Sequence, residues 1–126
     1  MKTDENNPAD WLRSARSRLA SADRLFAEEG ASEAAIELLQ ESTERFLKAY
    51  LIARGWQLRK VHDLGSLLAE AEKHDARLCA FADFADELTD QFWAMHYPGG
   101  ELDDAPPDFA ALREQLARML EILAAR

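Results

Sequence analysis

Apolar residues recur along this chain at intervals of three and four, and no segment alternates as a half-buried strand would. The first stripe is Trp11, Ala15, Leu19, Ala22 and Phe26. Pro8 suits the first helical position behind Asn7 as N-cap, and Gly30 ends the helix. Ser32 then caps a second, longer helix running to about Arg54, where Gly55 stops it. Its stripe is Ala35, Leu39, Ser42, Phe46, Ala49 and Ala53. Leu47, Tyr50 and Leu51 widen that stripe, which marks this helix as central. "WQLRKVH" reads as a connector. A short third helix begins near Asp63, with Leu64, Leu67, Leu68 and Ala71 inward. A fourth spans about Arg77 to Met95, with Phe81, Phe84, Leu88, Phe92 and Met95 inward. "YPGGELDDAPPD" breaks the pattern with prolines, glycines and acids. A fifth helix opens near Asp108 and carries Phe109, Leu112, Leu116, Leu120 and Leu123.

Short connections between long helices favour antiparallel neighbours. The pattern therefore predicts an all-α fold, a five-helix antiparallel up-and-down bundle. One domain over residues 1–126 is expected, with its core at 8–124 and a flexible acidic loop at about 98–107. The second and fourth helices place Leu47, Tyr50, Phe84 and Trp93 on more than one face. Apolar surface in excess of one core predicts a homodimer.

Composition narrows the function. The net charge of −9 argues against a chain that coats nucleic acid through bulk charge. One basic run stands out against it: Arg45, Lys48, Arg54, Arg59 and Lys60, with no acid between Arg45 and His62. The structural explanation is that acids early and bases late in the second helix complement its dipole. Glu44 and Lys48 are also an i,i+4 pair in the better orientation, worth about 0.2–0.5 kcal/mol. The functional explanation is contact with phosphate or an acidic partner, for which Arg54, Arg59 and Lys60 at the turn are best placed. A lone cysteine, Cys79, permits no internal disulfide and fits a cytoplasmic setting. It is read as a small buried filler. No apolar run is long enough for a membrane span, and the polar "MKTDENNPAD" start is not a secretory signal.

Several chemistries lack their residues. No Glu-x-x-His or His-Glu-x-x-His spacing is present, so no metal site and no cofactor are expected. There is no phosphate-cradling glycine loop and no nucleophile elbow. Two histidines invite attention. His62 precedes Asp63, and the simplest reading is a capping junction. His96 and Tyr97 close the fourth helix in "FWAMHYPGG", either as an active-site pair or as a helix end.

Together "ELLQESTERFLKAYLIARG", "KVHDLGSLL" and "MHYPGG" resemble the HEPN domain family of nucleotide-binding domains, over residues 8 to 124. Glu44 and Lys48 fall on the family's glutamate and lysine of the second helix. His62, Asp63 and Leu64 fall on its histidine-aspartate-leucine, Tyr97 and Pro98 on its aromatic-proline ending, and Trp11 on its early tryptophan. The resemblance implies a homodimeric helical bundle. Many prokaryotic members sit beside a minimal nucleotidyltransferase in toxin–antitoxin-like systems. Many are metal-independent ribonucleases with an arginine, four to six residues, then a histidine. Here the positions that would hold that arginine before His96 are Gln91, Asp90 and Thr89. For His62, Arg59 is too close and Arg54 one step too far. Where the related branch has arginine before tyrosine-proline, this chain has His96.

The resulting reading is a dimeric binding module, partnered with a minimal nucleotidyltransferase or holding a nucleotide. Its candidate binding residues are Glu44, Lys48, Arg54, Arg59, Lys60, His96 and Tyr97. The alternative is a ribonuclease acting on RNA through His96 or His62, with Arg54 or Arg59 supplied across the fold or dimer.

Overall fold

The computed structural model describes residues 5–59, 63–96 and 108–124, the side chains of Met95 and His96 excepted. The expected loop at 98–107, and with it Lys60, His62 and Tyr97, lie outside the described residues. Five α-helices form the fold: α1 (Pro8–Glu29), α2 (Glu33–Ala53), α3 (Leu64–Glu72), α4 (Ala82–His96) and α5 (Phe109–Ala124). A 3₁₀ segment, Ala76–Phe81, precedes α4. No strand occurs among the described residues, so the all-α bundle is as expected. No described helix is long and apolar enough to cross a membrane.

Local chemistry sets the helix ends. The Asn7 side chain accepts from the Ala9 amide at 2.9 Å, with Pro8 at the first helical position. Ser32 Oγ accepts from Ala35 N at 3.2 Å, and Asp108 Oδ1 from Ala111 N at 3.0 Å. Each satisfies an amide that has no partner within its own helix. At the C-terminal ends of α1 and α2 the chain reverses through Gly30 and Gly55, with φ of 77° and 89°. A side chain at either position would be strained.

α1 and α2 share the largest helix interface. Its seam is built from small residues seven apart: Ala15 and Ala22 on α1; Ala35, Ser42 and Ala49 on α2, all buried. Such a seam lets two backbones approach closely. Ser42 Oγ donates to the Ala15 carbonyl at 2.9 Å, a bond between helices that needs that proximity. Arg18 reaches Glu41 at 3.0 Å, and Lys48 lies over the Trp11 ring at 5.2 Å. Numbers rise on one helix as they fall on the other, so the pair is antiparallel. Arg113 grips Asp23 through Nε and Nη2 at 2.9 and 3.3 Å, and Phe109 stacks on Phe26 at 4.3 Å. α5 therefore also runs opposite to α1. α2 packs against every other helix, and its Leu39, Leu47 and Leu51 join Leu67, Leu68, Leu88 and Leu116 in one core.

Three sequence expectations change. Cys79 is exposed, not a buried filler. The segment that carries it is 3₁₀ rather than α, with three residues per turn. Leu78 and Phe81 point inward one turn apart, leaving Cys79 on the outer side. Leu47, Tyr50 and Phe84 are at most 6% exposed within the single chain, so of the four residues that argued for surplus apolar surface only Trp93, half exposed, lies outside the core. The Glu44–Lys48 pair is buried: the residues are 8% and 3% exposed.

Candidate functional site

The basic run does not form one patch. Lys48 turns into the bundle beneath Trp11, its Nζ 3.3 Å from Glu44 Oε2. Arg54 caps the far end of α2, stacked on Tyr50 at 3.6 Å and donating to the Tyr50 carbonyl at 3.2 Å. Arg59 is exposed in the connector. Arg45 faces a cleft beside α3 and α4.

That cleft holds about 450 Å³ between α2, the start of α3 and the end of α4. Small-molecule sites occupy roughly 300–1,000 Å³. Gln40, Glu41, Glu44 and Arg45 line it from α2, Asp63 from the α3 N-cap, and Thr89, Phe92 and Trp93 from α4. Phe92 and Trp93 meet edge to face, with centroids 5.5 Å apart. His96 ends α4 one turn beyond Phe92.

Two buried oxygens in this lining lack a hydrogen-bond partner among the described residues: Gln40 Oε1 and Thr89 Oγ1. Gln40 is 6% exposed. Leaving such a group unsatisfied costs about 1–3 kcal/mol.

The charges sort themselves in the same direction. Glu41 accepts from Arg18 and Glu44 from Lys48. Asp63 is engaged as the α3 cap, accepting from Gly65 N at 3.1 Å and Ser66 Oγ at 2.7 Å, as expected of its position. Arg45 is left without a carboxylate in ion-pair range among the described residues; its one bond is a long 3.5 Å contact to the Glu41 carbonyl. Burial, and then the charge of Arg18, lower the Arg45 pKa, with Glu41 and Glu44 opposing. The cleft thus presents an under-compensated guanidinium, two unpaired polar oxygens and two aromatic rings.

The sequence reading placed Glu44 here but not Gln40, Arg45, Thr89 or Trp93 as a group. Thr89 entered only as a position where arginine was missing. One signal was available: Gln40, Glu41, Glu44 and Arg45 share a face of α2, and polar residues interrupt an otherwise apolar helix there.

An all-helical bundle with a polar cleft between three helices is a frame that many binding and catalytic proteins use. A family comparison resolves which frame this is: the HEPN domain model matches residues 8–124, and the chain belongs to the HEPN domain family. No curated protein and no solved structure matches it.

Proposed function

We propose that this chain is a dimeric HEPN binding module, the partner of a minimal nucleotidyltransferase in a toxin–antitoxin-like pair, and that it holds a nucleotide in the α2–α3–α4 cleft without cleaving RNA. The observation that carries the ligand assignment is the coexistence of Gln40 Oε1 and Thr89 Oγ1, both unpaired, with the under-compensated Arg45. A nucleobase offers donors to the two oxygens. Its plane suits Phe92 and Trp93. Its phosphate suits a guanidinium with no carboxylate in ion-pair range among the described residues.

The absence of cleavage follows from α4. A phosphodiester transition state needs a positive group aimed at its developing charge. At the three spacings that would hold it, α4 carries Thr89, exposed Asp90 and Gln91. An aspartate there repels phosphate.

Equilibrium binding tests the reading. Nucleoside mono- and triphosphates should change the fluorescence of Trp93, which is half exposed at the cleft. Arg45→Ala should weaken phosphate-bearing ligands about tenfold or more and leave the bare nucleoside little changed. No saturable response by any nucleotide, or equal loss for nucleoside and nucleotide, counts against it.

A further inference from the structure

A second concavity lies on another face of α2. It holds about 650 Å³ between the first half of α1, the last turns of α2 and the end of α5. Its walls are apolar: Leu12 and Leu19 on α1, Phe46 and Tyr50 on α2, Leu120 and Leu123 on α5. Its hollowness has a sequence cause. Ala9, Ala49, Ala53 and Ala124 line it, and four alanines leave room that larger side chains would fill. Leu12, Leu120 and Leu123 are only half buried along it.

The charge of this groove departs from that of the chain. Acidic residues outnumber basic ones 24 to 15 in the whole protein. Yet the groove lining contains Arg16 and Arg54 and no carboxylate. Neither arginine has a carboxylate within ion-pair distance among the described residues. Arg54 is held over Tyr50, so its guanidinium is fixed at the groove's edge. Asp75, the acid it influences, is already bonded twice over by Arg77.

The antiparallel register of α1 and α2 places Arg16 near the level of Ser42 and Thr43. The Arg54 guanidinium, folded back over Tyr50, lies further along α2, so the two cations stand at different levels of the groove. Apolar walls, an alanine floor and two cations spaced along them match one kind of guest: an amphipathic helix with an apolar stripe flanked by acids.

We propose that the α1–α2–α5 groove docks an acidic amphipathic helix of a partner protein, its apolar stripe against Leu12, Leu120 and Leu123 and its acids on Arg16 and Arg54. The cleft and this groove lie on different faces of α2, so the proposal stands independently of nucleotide binding.

The test uses the full chain and three synthetic peptides of about sixteen residues. One carries leucines at helical spacing with glutamates near both ends, one has lysines in place of the glutamates, and one is a scrambled acidic control. Fluorescence anisotropy should show micromolar binding of the acidic helix and at least about tenfold weaker binding of the other two. Arg16→Glu should reverse the preference between acid and base. Ala53→Trp, at an exposed position on the groove wall, should abolish binding. Circular dichroism checks the fold, and Arg16→Glu alone carries the test should Ala53→Trp disturb it. Binding that ignores peptide charge, no saturable binding, or no response to either variant overturns the proposal. So does conversion of a dimer to a monomer by Ala53→Trp, which would give the groove to a second copy of this chain.

Discussion

Lys48 Nζ sits 3.3 Å from Glu44 Oε2 with both side chains inside the bundle and the Trp11 ring 5.2 Å above the ammonium. The two residues are one helical turn apart, the spacing of an ordinary surface pair. Burial changes what that spacing is worth. Removing one partner strands the other charge in the interior and costs about 3–5 kcal/mol, whereas removing both can cost little. Glu44→Ala should therefore destabilise by about 3 kcal/mol or more in chemical denaturation, and Glu44→Gln combined with Lys48→Met should recover most of it. A loss under about 0.5 kcal/mol for Glu44→Ala would place the pair in solvent after all.

The seam of α1 and α2 predicts a different kind of sensitivity. Ser42 is fully buried and bonded to the backbone of the facing helix. Ser42→Ala deletes one hydrogen bond, the Ala15 carbonyl keeping its place in the α1 ladder, and should cost about 0.5–1.5 kcal/mol. Ser42→Leu forces the helices apart and should cost more, about 3 kcal/mol, with a broadened unfolding transition. Equal costs for the two variants would mean the helices are not held close by the small-residue seam.

The cleft predicts opposite changes in stability and affinity. Thr89 Oγ1 is buried without a partner among the described residues, and valine has the same shape without the hydroxyl. Thr89→Val should raise stability by about 1 kcal/mol and weaken nucleotide binding in parallel. Calorimetric melting and titration on one preparation measure both. A variant that loses stability would show that the hydroxyl already has a partner in the empty protein.

Arg77 bonds the Asp75 side chain and holds its carboxyl below the usual carboxylate range; the Arg77 backbone amide adds to the effect. A depressed folded pKa means stabilisation that is present above the unfolded value, about 3.9, and is lost as pH falls through the lower folded value. The pair is exposed, so salt should weaken it. Titration by NMR should find Asp75 ionised below pH 3.9 and restored toward it in Arg77→Gln. An Asp75 midpoint unmoved by that substitution would mean the bond does not persist in water.

Purified protein should not cleave RNA. Thr89, Asp90 and Gln91 occupy the spacings at which the ribonuclease members carry arginine before histidine. A histidine acting alone contributes about 10²–10⁴-fold at best. A time course on single-stranded and structured RNA, with wild type and His96→Ala, decides. Metal-independent cleavage that disappears in the variant would establish the enzyme in place of the binding module.

Apart from the start of α4, the sequence by itself determined the helices, their ends and the family. Asn7, Ser32, Asp63 and Asp108 bond the amides their positions suggested, Gly30 and Gly55 take the positive φ that ends a helix, and the apolar intervals mark the faces that became the core. These are local properties, set within a turn or two of chain. What local pattern leaves open is which face meets which. Gln40 and Thr89 are unremarkable polar positions until α4 packs across α2 and strips water from both oxygens. Glu44 and Lys48 read as an ordinary i,i+4 pair until the bundle buries both and α1 lays Trp11 over Lys48. Cys79 fits an inward position on an α-helix and faces outward on the 3₁₀ turn that the chain adopts. Burial is a property of the assembled bundle, and burial turns a weak surface pair into a core ion pair and two ordinary polar side chains into a candidate binding site.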